Sequence, residues 1–275
     1  MATLDVWCAA SALNVLSDAG FRAALLAYSA GLNPSAPNIT GLNVQGGSSG
    51  ALARQMLTAA NPPDVFLPAS NQDPINVLTG AIPPLVTPAN VVPLLRNNLV
   101  LIGNSLYTPS PAPGPINSFA QVTAANTVNQ GVQVFVANPG SPYYVPAGVY
   151  AQAAFEDFDP DIWNDNNNGG VANFATIATM EDVTMVLNSV INATTPPPNP
   201  VAAPAIGAVY ATDAASQNNK VKIIAIAPPT VDATIIYPVA PVNTGTNKAG
   251  ATEFINFVQT PAAMTFFTNY GFFPY

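Results

Sequence analysis

The chain has 275 residues, of which 49% are hydrophobic, enough to build one large domain or two modest ones around real cores. Only 7% of residues are charged and the net charge is −8, which argues against nucleic acid or an anionic membrane as a partner. Pro or Asn interrupts every apolar stretch before it reaches the roughly 18 residues of a membrane span, and no basic-then-apolar export segment is expected in this stretch of chain.

Leu4 to Ala9 reads as a short buried strand. Ser11 then reads as the N-cap of a helix whose apolar face is Leu13, Leu16, Phe21, Leu25 and Leu26. Cys8 is the single cysteine, and it lies in an apolar run; with no histidine anywhere to activate it, it reads as a small buried hydrophobe. Ile39 to Gln45 is a second strand, leading into Gly46-Gly47-Ser48-Ser49-Gly50 and a helix from Ala51 to Ala59. Those five residues match the G-x-S-x-G nucleophile elbow, yet a chain without histidine cannot complete the usual serine triad. A P-loop needs Gly-Lys-Ser/Thr, whereas Ala51 follows Gly50 and the nearest cation is Arg54. Two readings stay open for the turn. It is a cradle for an anion, built from glycines, hydroxyls and the unpaired amides of a helix start, or it is a plain turn that caps a helix.

Asp64 to Leu67 is a third strand. Strands and helices alternating at these intervals predict a parallel sheet with right-handed crossovers, in which ligands gather beyond the carboxyl ends of strands. Ser11 and Ser49 each follow a strand end at a helix start, so both are expected to face one crevice. Further on, Pro74 to Leu78 reads as a short helix and Leu94 to Ile102 as one strand. The proline-rich 108–115 and 195–200 read as stiff surface excursions. Val132 to Ala137 is a strand; Pro146 fits a first helical position, with the amides of Ala147 and Gly148 behind it. Asn164 to Gly170 lacks the ligand alternation of a calcium loop and reads as a solvated turn. A helix opens at Met180 to Val183, and Tyr210 stands at the exit of a strand beginning at Ile206. Strands follow at Val221–Ile226 and Ile235–Val239, then helices at Lys248–Val258 and Pro261–Asn269. Asp64 and Asp213 read as caps or hinge hydrogen-bonders, and Trp7 and Trp163 as core or interface anchors.

Several blocks occur together in one order: Val6-Trp7-Cys8-Ala9-Ala10-Ser11, Gly47-Ser48-Ser49-Gly50-Ala51-Leu52-Ala53-Arg54-Gln55, Asp64-Val65-Phe66, and Val145-Pro146-Ala147-Gly148-Val149-Tyr150-Ala151. They continue with Glu181-Asp182-Val183, Val209-Tyr210-Ala211-Thr212-Asp213, Tyr237-Pro238-Val239 and Tyr270-Gly271-Phe272. In this the chain resembles the periplasmic molybdate-binding proteins of ABC importers, over nearly its full length. The resemblance implies an α/β fold of two lobes, each a mixed, mostly parallel sheet flanked by helices, with the ligand cleft between them. One lobe would hold residues 1–95 and 232–275, the other 96–231. It implies a periplasmic or extracellular receptor, not an enzyme, that binds molybdate or tungstate for uptake through an ABC permease. By matching blocks, the ligands would be Ser11, Ser49, the amides of Ala147 and Val183, and Tyr210, with the amides at Ala10 to Ala12 and Gly50 as helpers. No cofactor and no direct cation ligand is implied. The low charge, 29 prolines and Asn-rich loops carry a second expectation. It is a structural or self-associating extracellular protein on the same fold, with anion binding lost or secondary.

Overall fold

The computed structural model describes residues 3–108, 116–123, 131–140, 143–158, 177–194, 203–217, 219–232 and 234–275. The chain divides into two compact units, Met1–Asn97 with Ile236–Tyr275, and Asn98–Ile235. In chain order the first unit contains β1 (Thr3–Ala9), α1 (Leu13–Ser17), α2 (Ala19–Leu32), β2 (Gly41–Gly47), α3 (Ser49–Met56), β3 (Val65–Leu67), α4 (Asp73–Thr79) and β4 (Val92–Arg96). The second contains β5 (Leu99–Asn104), β6 (Gln133–Ala137), α5 (Pro146–Glu156), β7 (Ile177–Met180), α6 (Val183–Ile191), β8 (Ala205–Tyr210), α7 (Ala211–Ala215), β9 (Val221–Ile226) and α8 (Pro229–Asp232). The chain then returns to the first unit with β10 (Ile236–Pro241), α9 (Lys248–Val258), α10 (Pro261–Asn269) and β11 (Phe273–Pro274).

In the first unit the sheet runs β11-β4-β10-β3-β1-β2. Strands β1, β2 and β3 are parallel, with Ala9 opposite Gly47 and Cys8 opposite Leu67, so their carboxyl ends share one edge. Phe21 of α2 anchors the helical layer: its ring meets Phe254, Phe257, Phe266 and Phe267 edge-on, with centroids 5.5–6.4 Å apart. Local chemistry sets the helix ends. Asp18 accepts from the Phe21 amide and starts α2, Asn247 does the same for α9 through Gly250, and Thr260 caps α10 ahead of Pro261. Asp64 joins three segments by accepting from the amides of Asp5 (2.9 Å) and Asn247 (2.7 Å).

In the second unit the order is β7-β6-β8-β5-β9. Strands β7, β6 and β8 are parallel, with Ala137 opposite Met180 and Phe135 opposite Gly207, and again their carboxyl ends lie on one edge. Gly148 is where α5 meets that edge. A Cβ there would lie 2.1 Å from the Ala137 carbonyl oxygen, so only glycine lets the helix start so close to β6.

Three sequence expectations need correction. The single strand expected over Leu94 to Ile102 is two strands in different sheets, β4 and β5, divided at Asn97–Asn98. Ile177–Met180 is a strand, so the helix expected to open at Met180 begins at Val183. Gly46 and Gly47 belong to β2 rather than to a turn: a Cβ on Gly46 would stand 2.9 Å from Leu13 Cδ2, so that glycine admits a neighbouring side chain, not a ligand. Of the helical face beginning at Leu13, Leu16, Phe21 and Leu25 are buried, while Leu13 and Leu26 are half-buried. The proline-rich 109–115 and 195–200, Trp163 and the turn expected at 164–170 lie outside the described residues.

Candidate functional site

Ser11 and Ser49 stand two residues beyond the paired strand ends Ala9 and Gly47, on neighbouring parallel strands. The register therefore brings them to the same edge of the first unit. Ser11 is not an N-cap as expected: it sits inside a one-turn 3-10 segment, Ala10–Ala12, that leads into the short α1. Its Oγ lies 2.9 Å from the Tyr237 hydroxyl, which in turn accepts from Asn97 Nδ2 at 3.2 Å. Ser49 is the first residue of α3, two positions before the expected helix start, and is almost completely buried. The Ala69 amide donates to its Oγ at 3.0 Å. A hydroxyl that has accepted one hydrogen bond still has its own proton to give, so Ser49 is poised as a donor. Arg54, one turn further along, faces sideways: its guanidinium grips Asp73 in a bidentate pair (2.9 and 3.1 Å) and also donates to the Gly50 carbonyl.

In the second unit Ala147 is the second residue of α5 and Val183 the first of α6. First-turn amides have no intrahelical carbonyl to reach and point out along the axis, at the positive end of the helix dipole. The cap of α5 is Val145, which has no polar side-chain atom, and Pro146 brings no N–H. Val145 donates its amide to the Asn138 carbonyl, and Asn138 donates to the Met180 carbonyl, so the ends of β6 and β7 are laced to the start of α5. The cap of α6 is Asp182, which accepts from the Met185 amide at 2.8 Å and leaves the Val183 amide out of the cap. Tyr210, the last residue of β8, is buried three positions beyond Gly207, whose partner on β6 is Phe135. Its ring packs edge-on against Tyr150 with centroids 6.5 Å apart. Ala147, Val183 and Tyr210 thus all belong to the carboxyl edge of three adjacent parallel strands.

Asp213 lies in the first turn of α7 and reaches back to the Tyr210 amide, a capping-box arrangement that fits the role expected of it. Its Oδ2 is closed off from solvent and has no hydrogen-bond partner. Burial, joined by the nearby negative charge of Asp182, pushes its carboxyl up to about 7, against the pull of the Tyr210 amide. Cys8 is buried and its thiol is pushed up to about 12, which suits the inert hydrophobe expected from its surroundings.

Tyr237 and Asn97 were not among the sequence-derived site residues. A tyrosine in a buried strand needs a polar partner for its hydroxyl, and that was the available signal. The partner, Ser11, lies 226 residues away along the chain and could not be read from spacing. Among the described residues, no group of three or more His, Cys, Asp or Glu side chains is placed to hold a metal cation.

Known proteins share this architecture. The molybdate-binding protein ModA of Escherichia coli (strain K12) is 29% identical over 174 residues, 62% of this chain and 59% of that protein, so the match spans about three fifths of the relative's length. The periplasmic molybdate-binding protein of Azotobacter vinelandii superposes with a TM-score of 0.61 at 16% identity, covering 98% of each chain. The sulfate-binding protein SubI of Mycobacterium tuberculosis H37Rv superposes at 0.64 and 16% identity, covering all of this chain and 87% of the other. At such identities the superpositions show the fold, that of periplasmic binding proteins. Residues 13–273 match the bacterial extracellular solute-binding proteins, and this chain belongs to that family.

Proposed function

We propose that this protein binds molybdate or tungstate outside the cytoplasm and delivers it to an ABC-type permease. The ligands are the hydroxyls of Ser11, Ser49 and Tyr210 and the amides of Ala147 and Val183. The observation that carries this reading is the register of the two sheets. In each unit it assembles donors at the carboxyl edge of parallel strands: two hydroxyls in one, two first-turn amides and a phenol in the other. The relatives known to bind molybdate support the choice of ion.

The donor chemistry suits a dianion. Each hydrogen bond to a charged group contributes about 1.5–3 kcal/mol, and each helix start adds about 0.3–1 kcal/mol. Together they offset dehydration without a countercharge, in keeping with Arg54 being turned to Asp73. Donors alone disfavour hydrogen phosphate, whose proton needs an acceptor, and size separates molybdate from sulfate. Calorimetric titration with molybdate, tungstate, sulfate and phosphate tests the proposal. Saturable heat with the first two at micromolar protein is expected; a folded sample that takes up neither would overturn it.

A further inference from the structure

We propose that Asn97 and Tyr237 are positioning residues that fix Ser11 as a hydrogen-bond donor and so set selectivity for fully deprotonated oxyanions; this rests on the oxyanion-binding role proposed for Ser11. A serine hydroxyl can donate or accept, and left alone it adapts to whichever the ligand presents. Here its orientation is imposed. Asn97 Nδ2 can only donate, and it donates to the Tyr237 oxygen. A phenol oxygen shares its lone pairs with the ring, so it accepts weakly and donates well. Having accepted from Asn97, Tyr237 spends its proton best on the Ser11 Oγ, 2.9 Å away. That fills an acceptor position on Ser11 and leaves its own O–H to donate elsewhere. Polarity thus runs one way, from amide to phenol to serine.

The groups are built to stay in place. Asn97 and Tyr237 are fully buried, and the Tyr237 ring packs edge-on against Phe272 with centroids 5.2 Å apart. Ile236 and Tyr237 pair with Arg96 and Leu95, so both relay members belong to the β4–β10 ladder or its immediate end. Ser49 reaches the same polarity by separate means, since the Ala69 amide that bonds its Oγ can only donate. Two hydroxyls side by side on one edge, both held as donors, reject a ligand that must itself donate. Hydrogen phosphate is such a ligand, and molybdate is not.

The test is a double-mutant cycle on the full chain, Tyr237→Phe and Ser11→Ala singly and together, with binding of molybdate and phosphate read by calorimetry. Tyr237→Phe keeps the ring and removes the relay. It is expected to weaken molybdate about tenfold, the size of one hydrogen bond to a charged group, and to weaken phosphate less, narrowing the selectivity. In the Ser11→Ala background the same substitution should have no further effect. Equal weakening in both backgrounds, or an unchanged ratio of molybdate to phosphate affinity, would overturn the proposal. Asn97→Leu removes the first donor without touching the phenol; it should give a smaller loss that also vanishes with Ser11→Ala, and it decides the matter if Tyr237→Phe does not fold. A wild-type chain that binds no molybdate refutes the ligand assignment itself, a result distinct from a failed cycle.

Discussion

Asp213→Asn is expected to make the protein more stable at pH 8 and to flatten its dependence on pH. The Asp213 carboxyl is pushed from the ordinary 3.8 up to about 7 by burial and by Asp182. The folded chain therefore holds this proton more tightly than the unfolded chain. Stability is full below about pH 4, falls as pH rises through the interval up to about 7, and stays lowered above it. At about 1.4 kcal/mol per unit the difference amounts to roughly 4 kcal/mol; Asp213 as a residue is only half-buried, although its Oδ2 is closed off, and the screening this allows brings the figure to roughly 2–3 kcal/mol. The amide keeps an acceptor for the Tyr210 N–H and loses the charge beside Asp182. Its NH₂ takes the place of the unpartnered Oδ2, which offsets about 1 kcal/mol of the gain. A net gain of about 1–2 kcal/mol at pH 8 corresponds to a Tm rise of roughly 2–8 °C. The chain has no histidine, the side chain that ordinarily titrates between pH 5 and 8. Asp232 is also raised, by burial, so both proteins must be compared rather than one curve read alone. Thermal unfolding of both at pH 5 and pH 8 gives the answer. Parallel curves, with the same loss between the two pH values, would show that Asp213 does not hold its proton in the folded chain.

Other substitutions probe the edges where the donors stand. Gly148→Ala places a methyl group 2.1 Å from the Ala137 carbonyl oxygen. It should cost about 1–3 kcal/mol or more in a melt and weaken molybdate binding by moving the start of α5. Ser49→Ala strands the Ala69 amide and removes one of the proposed anion donors; a loss of about 1–3 kcal/mol in stability and at least tenfold in affinity is expected by melt and calorimetry. Cys8, buried with its thiol pushed up to about 12, should resist a thiol reagent at pH 8 in the native protein and react once the chain is unfolded in denaturant; rapid labelling of the native form would contradict its placement.

Much of this architecture was legible because local signals agreed. The closing helices Lys248–Val258 and Pro261–Asn269 were read at their observed limits, each marked by a polar cap and, for the second, a proline at its first position. The strand-then-helix rhythm placed Ser11 and Ser49 beyond strand ends, since a parallel sheet leaves a chain nowhere else to turn. What escaped had no local signature. Leu94 to Ile102 reads as one strand, and its two apolar halves do not say that they join different sheets; the polar Arg96-Asn97-Asn98 between them was the mark of the break. The glycine at position 46 looked like room for a ligand because sequence cannot show Leu13 filling it. Tyr237 stood in a recognised block without a role, because its partner is brought to it only by the pairing of β10 and β4 and by the fold of the first unit.

An anomalous-scattering map of crystals grown with tungstate would locate the bound ion and so decide the ligand set. A single strong peak is expected within hydrogen-bonding reach, through the ion's oxygens, of the Ser11 and Ser49 hydroxyls, the Ala147 and Val183 amides and the Tyr210 phenol. A peak away from those groups, or none in crystals of protein saturated with the ion, would contradict that ligand set.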